Sequence, residues 1–207
     1  MKPKLIALEG IDYSGKSTLA PALAQELLHR NIDAIYTAEP SMGPFGEEIR
    51  KVLQGKAEGP GTERAFQAWF VRDRLWHINN LLCPAYASGT WPIVDRYWLS
   101  TIAYGMLVST PEDFIELHKE IIGRRMMYPD ITIVLDLPVE EAFARAKARG
   151  AKPEYFEKYQ LLEKVRANYL TLTARDDLGK IAVINADTSP EAVLAQAVGV
   201  LEAEGLL

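Results

Sequence analysis

The sequence predicts an α/β fold in which a doubly wound, five-stranded parallel sheet is flanked by helices. Two observations lead to this prediction. Short apolar segments of the β type alternate with longer helical patterns along the whole chain, and this alternation favours parallel strands joined by right-handed crossovers. In addition, no repeat, low-complexity tract or linker interrupts the 207 residues. We therefore expect a single domain over residues 1–207.

The predicted strands are short and rich in aliphatic residues. Three of them are apolar almost throughout, as expected for parallel strands that helices cover on both faces. The strands are predicted at residues 5–9, 34–38, 92–95, 131–136 and 181–185.

Helical patterns fill the intervals between these strands. The first helix contains Pro21, which lacks a backbone donor and is expected to kink it. Cys83 lies in an apolar helical stretch, and we interpret it as a small core residue. The helices are predicted at residues 17–30, 46–53, 63–87, 100–106, 111–124, 139–149, 155–175 and 190–204.

A phosphate-binding motif follows the first predicted strand. Residues 10–17 read G-I-D-Y-S-G-K-S, which fits the P-loop pattern G-x-x-x-x-G-K-[ST] between a strand and a helix. Glycines let the backbone N–H groups face phosphate oxygens, and the helix N-terminus adds partial positive charge. Lys16 is placed to reach the β- and γ-phosphates, and the Ser17 hydroxyl can bind Mg²⁺. The residues predicted to bind the nucleotide are Gly10, Ile11, Asp12, Tyr13, Ser14, Gly15, Lys16, Ser17 and Thr18.

The composition argues against several classes of partner. The net charge is −5, which predicts no sequence-wide contact with nucleic acid or a membrane surface. No apolar run approaches the length of a membrane span, and the N-terminus lacks the pattern of a signal peptide. The single cysteine cannot form an internal disulfide, which fits a cytoplasmic location. The three histidines lack metal-ligand spacing, and we assign them no chemistry.

Polar residues at the carboxyl ends of the predicted strands are the next candidates, because ligands of such sheets bind there. Asp95 ends an apolar strand, where P-loop enzymes place an acid that holds Mg²⁺. Arg96 follows directly and adds a cation that can bind an anion through two donors. Such a pair is also common at the protein surface, and it is the P-loop that favours a functional role. The other residues at strand ends are Glu9, Glu39, Asp136 and Asp187.

Two pairs of residues share a helix face because they lie four positions apart. Phe70 and Arg74 place an aromatic ring beside a guanidinium, which together can stack on a base and bond to its edge or its phosphate. Arg145 and Arg149 form a basic pair of the kind that neutralises charge on a transferred phosphoryl group. In isolation the first pair would more often be core and the second a solvated face.

The ordered set of motifs resembles the thymidylate kinase (dTMP kinase) family of P-loop nucleoside monophosphate kinases over nearly the whole chain. The resemblance implies a P-loop NTPase fold and transfer of the γ-phosphate of ATP to dTMP, giving dTDP and ADP in dTTP biosynthesis, with Mg²⁺. It also implies a homodimer, in which Trp69 and Trp76 could line the interface or belong to the core. The matching segments are Leu8-Glu9-Gly10-Ile11-Asp12, Gly15-Lys16-Ser17-Thr18, Glu39-Pro40, Gly46-Glu47-Glu48-Ile49-Arg50, Phe70-x-x-x-Arg74, Asp95-Arg96-Tyr97, Pro129-Asp130, Leu135-Asp136, Arg145-x-x-x-Arg149, Phe156-Glu157 and Val165-Arg166-x-x-Tyr169.

The resemblance assigns roles to individual residues on the acceptor side. Phe70 would stack on the thymine ring, and Arg74 and Arg96 would contact the monophosphate, with Arg74 also able to reach the base. Tyr104 would lie against C2′ of the sugar and exclude a ribose hydroxyl. The full set of acceptor residues that the resemblance implies is Asp12, Glu39, Arg50, Phe70, Arg74, Arg96, Tyr97, Thr101 and Tyr104.

A small lid at approximately residues 145–157 is also implied by the resemblance. Tyr13 stands where one branch of the family carries an arginine inside the P-loop, so the lid pair Arg145 and Arg149 would supply that cation. Asp187 and the following threonine would lie near the donor adenine. The implied catalytic residues are Lys16, Asp95, Arg96, Arg145 and Arg149, with Ser17 and Asp95 as metal ligands.

Two departures from the family pattern concern the acceptor base. Ala38 stands where bacterial members usually have arginine, and Gly105 where many have a glutamine that bonds the thymine edge. Thr101, one turn earlier, offers only a hydroxyl. A lost hydrogen bond of this kind costs about 1–3 kcal/mol. Two alternatives stay open: a monophosphate kinase with altered or broad base preference, such as for dUMP, and an ATP-binding regulatory protein on the same scaffold.

Overall fold

A computed structural model of the chain describes residues 2–150 and 155–207, with side chains in the second range described from residue 159 onward. Within these residues, five parallel strands form the sheet, which confirms the predicted fold class. The strands are β1 (Ile6–Glu9), β2 (Ala34–Ala38), β3 (Trp91–Asp95), β4 (Ile131–Asp136) and β5 (Ile181–Asn185).

The strand order β2-β3-β1-β4-β5 puts β1 at the centre of the sheet. Ile6 on β1 lies opposite Ile93 on β3 and Ile131 on β4. Connections run from β1 toward β2 and β3 on one side, and then toward β4 and β5 on the other. The direction of winding therefore reverses beside β1, and ligands of open α/β sheets bind at such a switch point. The P-loop, at residues 10–17, follows β1 and lies there.

Helices surround this sheet and bury its central strands. The helices in the described residues are α1 (Lys16–His29), α2 (Pro44–Leu53), α3 (Glu63–His77), α4 (Cys83–Ala87), α5 (Trp98–Gly105), α6 (Pro111–Ile121), α7 (Val139–Ala148), α8 (Tyr155–Thr173) and α9 (Pro190–Ala203). α1 packs against β2, β3 and α9, whereas α5 packs against α3, α6 and α8. Every residue of β1 and β3 is buried between these layers. α1 continues through Pro21, and a kink there stays a prediction.

Side chains that cap the first turn explain where several helices begin. The Thr110 hydroxyl accepts a hydrogen bond from the N–H of Asp113 at 3.4 Å, and the Asp113 side chain accepts one from Thr110 N–H in return. Pro111 follows at the first helical position, where its missing donor leaves no bond unmade. Thr62 and Ser189 cap α3 and α9 in the same way.

The predicted single helix at residues 63–87 is wrong. α3 ends at His77, a π-helical turn covers Ile78–Leu82, and α4 follows. Pro84 lacks the N–H that would bond to the carbonyl four residues earlier, so α-helical bonding cannot run unbroken through this turn.

The core position predicted for Cys83 is also wrong, because this residue is exposed. It begins α4, a single turn of five residues in which none is buried. Its Sγ lies 3.4 Å from Sδ of Met127. The apolar stretch therefore reaches the core at Leu82, which is buried, but not in the turn that begins at Cys83.

The lid predicted at residues 145–157 lies partly outside the described residues, because residues 151–154 are not among them. Its first part belongs to α7, which ends at Ala148, and α8 begins at Tyr155. In the described ranges, every helix is too short or too polar to cross a membrane.

Candidate active site

The P-loop curls tightly between β1 and α1. Gly10 has φ +137° and Gly15 has φ +105°, conformations that favour glycine. A Cβ atom on Gly10 would lie 2.6 Å from the carbonyl oxygen of Leu135 on β4, so a larger residue would collide with the backbone. Tyr13 also has positive φ, at +64°. The loop is thus shaped as a cradle whose backbone can approach an anion closely.

Lys16 is buried in this cradle and is held by the loop itself. Its Nζ donates to the carbonyl oxygens of Ile11 at 2.8 Å and Gly10 at 3.1 Å, and it lies 3.3 Å from the Ser14 hydroxyl. Burial is the main reason that the pKa of Lys16 falls to about 7, and the charge of Arg96 lowers it further. The hydrogen-bond partners of the ammonium group are neutral, so none of them balances its charge, which is available to a bound phosphate.

Ser17 and Asp95 form a pair of hard oxygen ligands at the edge of the P-loop. The Ser17 hydroxyl donates to Oδ2 of Asp95 at 2.6 Å. Asp95 ends β3, which lies beside β1, so the sheet itself brings the two residues together. A hydroxyl and a carboxylate beside a phosphate cradle fit Mg²⁺, which binds proteins through one or two such groups and completes its shell with phosphate and water oxygens.

Arg96 spans the space between β3 and the P-loop. It has φ +64°, an unusual conformation for a residue with a side chain. Its guanidinium forms an ion pair with Asp12, donates to the Gly10 carbonyl oxygen at 3.2 Å, and lies 5.6 Å from the ring centroid of Tyr104. This cation stands directly beside the P-loop, where it can bind a second phosphate.

Arg74 belongs to a different, fully buried cluster. Its Nη2 donates to Oε2 of Glu39 at 2.5 Å, and its Nη1 lies 3.2 Å from the Thr101 hydroxyl and 2.6 Å from Nε2 of His118. The guanidinium also lies 5.0 Å from the ring centroid of Tyr97. Among the residues that the structure describes, Nε of Arg74 has no hydrogen-bond partner. Arg74 therefore has one buried donor that no other described group satisfies.

His118 fixes the other side of this guanidinium. Its Nδ1 bonds to the carbonyl oxygen of Phe114 at 2.7 Å, which requires a proton on Nδ1 and leaves Nε2 as the acceptor for Arg74. Burial, and then the charge of Arg74, lower the pKa of His118 to about 3. His118 is thus a neutral acceptor near pH 7.

Phe70 and Arg50 lie beside members of this cluster. Phe70 is half-buried on α3, one turn before Arg74, and its ring packs edge-on against Phe66 with centroids 5.2 Å apart. Arg50 donates from Nη1 to the carbonyl oxygens of Pro40 at 2.9 Å and Ser41 at 2.6 Å. It therefore holds the turn after β2, close to Glu39.

Phe114 occupies the space where a side chain at position 105 would lie. A Cβ atom on Gly105 would come within 2.4 Å of the Phe114 ring. The glutamine expected at this position in many family members could not be placed here without moving Phe114.

A cavity of about 220 Å³ lies on the other side of the P-loop. Arg145, Arg149 and Thr188 line it together with P-loop residues. Nη2 of Arg145 donates to the carbonyl oxygen of Ala186 at 2.7 Å, and its Nη1 lies 3.5 Å from the Tyr13 carbonyl oxygen. Arg145 is therefore attached to the sheet edge, whereas Arg149 at the end of α7 is exposed.

Comparison with known proteins assigns this arrangement to a family. The family model described as thymidylate kinase matches residues 8–197. This chain belongs to the thymidylate kinase family. Thymidylate kinases are phosphotransferases, which agrees with a phosphate cradle that has a second cation beside it.

Named thymidylate kinases match nearly the whole chain. A Thermococcus kodakarensis protein named probable thymidylate kinase is 37% identical over 204 residues, covering 95% of this chain and 96% of its own length. The thymidylate kinase of Xanthomonas euvesicatoria pv. vesicatoria is 36% identical over 199 residues, covering 96% and 83%. The thymidylate kinase of Bdellovibrio bacteriovorus is 35% identical over 204 residues, covering 94% of each chain.

Apart from Arg50, Phe70 and the remaining P-loop residues, the predicted site residues of this thymidylate kinase family member fall into three groups. One surrounds the P-loop, one surrounds Arg74, and one lines the cavity beside α7. The first group contains Asp12, Lys16, Ser17, Asp95, Arg96 and Tyr104, the second contains Glu39, Arg74, Tyr97 and Thr101, and the third contains Arg145 and Arg149.

Two histidines to which the sequence analysis assigned no chemistry are in contact with the second group. His118 bonds to Arg74, and Nδ1 of His77 lies 3.1 Å from Oε1 of Glu39. His77 lies three residues after Arg74 on α3, a spacing that puts both on one helix face. That spacing could have indicated His77, whereas the sequence contains no signal for the contact between α3 and His118 on α6.

Proposed function

We propose that this protein transfers the γ-phosphoryl group of ATP to dTMP and releases ADP and dTDP. The observation that carries the proposal is the position of Arg96, which bonds to Gly10 of the P-loop and to Asp12. A cation beside the phosphate cradle offers a second anion site next to the first. An enzyme that transfers a phosphoryl group from one nucleotide to the phosphate of another needs two anion-binding sites, whereas a nucleotide-binding switch needs only one.

ATP binds on the side of the P-loop that faces α7. Its phosphates accept hydrogen bonds from the loop and from Lys16, and its adenine lies toward the cavity lined by Arg145 and Thr188. Ser17 and Asp95 hold Mg²⁺, which neutralises part of the phosphate charge when bound.

The acceptor nucleotide lies between Arg96 and the buried cluster of Arg74. Arg96 binds the monophosphate, and Asp12 and Tyr104 face the sugar. Phe70 stacks on the base. Arg74 lies one turn after Phe70 on α3 and is held by Glu39, and it contacts the acceptor nucleotide at its monophosphate or its base edge.

The chemistry needs alignment and charge neutralisation more than it needs a reactive side chain. The acceptor phosphate oxygen is already a nucleophile, so the protein brings two anions together and offsets their repulsion. Lys16 and Arg96 supply positive charge from the described site, and Arg145 and Arg149 supply it from the lid side. Exclusion of water by a closed lid prevents hydrolysis of ATP.

A related monophosphate kinase with another base preference is the second candidate, and the contact between Gly105 and Phe114 favours it. Phe114 fills the space of the base-edge side chain, so recognition rests on Arg74 and Thr101. Both would bond to thymine and uracil alike, since O4 and N3 are common to the two bases.

An acceptor panel tests the proposal. We expect ADP release to depend on an added monophosphate and kcat/KM to be highest for dTMP among dTMP, dUMP, dGMP, UMP and CMP. A higher kcat/KM for another acceptor would replace thymidylate as the substrate. Slow ATP hydrolysis with no response to any acceptor would favour a regulatory protein instead.

We also propose that the protein is a cytoplasmic homodimer, as the resemblance to the family implies. Phe66 and Trp69 on α3, together with Phe45 on α2, support the dimer because they form an aromatic cluster that is only half-buried, and aromatic residues are enriched at interfaces. Sedimentation velocity is expected to give twice the 23.1 kDa of one chain. A particle of the single-chain mass at every concentration would contradict the dimer.

A further inference from the structure

Glu9 fixes the start of α5 from the end of β1. Its side chain is completely buried, and Oε1 accepts the backbone N–H of Tyr97 at 2.9 Å and of Ser100 at 3.1 Å. Tyr97 is the residue that caps α5, and Ser100 lies in its first turn, where N–H groups lack the carbonyl partner found four residues earlier inside a helix. Glu9 therefore serves as the cap that joins β1 to α5.

The same bonds hold the backbone of Arg96 in place. Arg96 lies immediately before Tyr97, and its own N–H donates to the Leu8 carbonyl oxygen at 2.9 Å. Its φ of +64° is unfavourable for a residue with a side chain and persists only where neighbouring bonds impose it. Leu8 and Glu9, adjacent on β1, thus bond to the two residues that form this turn.

Tyr169 on α8 completes the cluster from the other side. Its ring is 1% exposed, and its hydroxyl donates to Oε2 of Glu9 at 3.1 Å and lies 2.8 Å from the Ser100 hydroxyl. Ser100 also bonds to Oε2 of Glu9, and its Oγ lies 3.4 Å from Nη1 of Arg96. A continuous set of hydrogen bonds therefore runs from α8 to the guanidinium.

α8 has a second attachment to the site edge one turn earlier. Arg166 forms two hydrogen bonds with the carboxylate of Asp136 at the end of β4, at 2.6 and 2.9 Å. α8 begins at Tyr155, within the residues predicted to form the lid. The position of α8 against the sheet is therefore fixed by hydrogen bonds to the last residues of both β1 and β4.

We propose that Tyr169 is a positioning residue for the acceptor phosphate: through Glu9 and Ser100 it holds the turn that carries Arg96, and so connects α8 to the acceptor site. This role rests on the proposed function, in which Arg96 binds the monophosphate. Only 1% of Tyr169 is exposed, and its hydroxyl bonds to Glu9 and Ser100, so its effect on the acceptor passes through these two residues. Its removal should therefore weaken the acceptor site and leave the ATP site, built on Lys16, Ser17 and Asp95, unchanged.

The substitution Tyr169→Phe removes only the hydroxyl, and Tyr159→Phe provides a matched control on the same helix. The Tyr159 hydroxyl bonds to Glu140 on α7, away from Arg96. For Tyr169→Phe we expect kcat/KM for dTMP to fall about tenfold, with the Kd for ATP within about twofold of the wild type. Tyr159→Phe should leave both values at the wild-type level.

A double-mutant cycle separates positioning from a general loss of structure. In an Arg96→Ala background, Tyr169→Phe should have no further effect on dTMP turnover, because the group that it positions is absent. The same tenfold loss in that background, or equal losses for ATP and dTMP, would overturn the proposal. So would wild-type kinetics in Tyr169→Phe.

Failure of the proposed function gives a different result. If the wild-type protein prefers another monophosphate, the same ratios measured with that acceptor test Tyr169 equally well. If the wild-type protein turns over no acceptor at all, the proposed function is overturned, and the positioning role with it.

Discussion

Replacing Arg96 with alanine is expected to lower kcat about 10³-fold, while the Kd for ATP changes by less than about threefold. The guanidinium is the cation that bonds to both the Gly10 carbonyl and Asp12. Without it, the acceptor phosphate loses its positive partner and faces the Asp12 carboxylate directly. The ATP site keeps Lys16 and the pair of Ser17 with Asp95, because neither depends on Arg96 for a hydrogen bond.

Glycine and lysine variants refine this test. Arg96→Gly removes the same guanidinium but relieves the positive φ of +64°, so it should be more stable than Arg96→Ala and equally inactive. Arg96→Lys keeps the charge and loses the planar fork, so its kcat should lie between those of alanine and the wild type. Isothermal titration calorimetry with ATP measures the Kd of the ATP site, and steady-state kinetics with dTMP measure kcat and KM for the acceptor. An equal loss of ATP affinity in a folded variant would remove Arg96 from the acceptor site.

Replacing Lys16 with methionine is expected to lower kcat/KM for ATP by about 10³-fold. Methionine has nearly the same length and suits a buried position, so the loop should retain its shape. The carbonyl oxygens of Gly10 and Ile11 would lose their donor, but the cost of burying the ammonium group, which lowers the pKa of Lys16, would also be removed, so the two effects on stability oppose each other. Thermal unfolding measures their balance, and a variant with normal ATP kinetics would contradict the role of Lys16.

The pH dependence of the wild-type enzyme gives a second measure of Lys16. Its pKa of about 7 means that the charged form declines as pH rises through that value in the free enzyme. Because the charged form binds phosphate, kcat/KM for ATP should fall above about pH 7. Bound phosphates favour the charged form, so kcat at saturating ATP should stay nearly constant over the same range. A kcat/KM that rises from pH 7 to 9 would contradict this assignment.

The sheet was predictable from the sequence because its signals are local. β2, β4 and β5 have the predicted bounds, and β1 and β3 differ from prediction by one residue each. Continuous apolar runs mark the buried strands β1, β3 and β4, whereas β2 and β5 are partly buried edge strands that their β-type residues and polar ends still mark. The P-loop was predictable for the same reason: its eight residues form a site with their own backbone. The helix at residues 63–87 was not, because the π-helical turn at Ile78–Leu82 depends on where a proline interrupts the bonding.

The groups around the two arginines could be predicted only in part. Asp95 and Arg96 lie at the end of a strand, where polar residues indicate a ligand site. Glu9 and Tyr169, by contrast, are 160 residues apart in the chain and form a hydrogen bond across the fold. No spacing encodes such a contact. His118 is a second example. Its hydrogen bond to Arg74 joins α6 to α3, and the sequences of these two helices do not indicate how they pack against each other. Sequence patterns therefore indicate which residues face a site, and packing decides which of them bond.

The central position of β1 has a consequence for how the protein is made. β1 bonds to β3 and β4, whose first residues are Trp91 and Ile131, so it must wait during synthesis until much of the chain has left the ribosome. Until then its apolar residues have no strand partner, and such segments are prone to aggregation. The phosphate-binding loop precedes both partner strands in the chain, so it acquires its shape only after they have been made, and nucleotide binding becomes a marker for assembly of the central sheet.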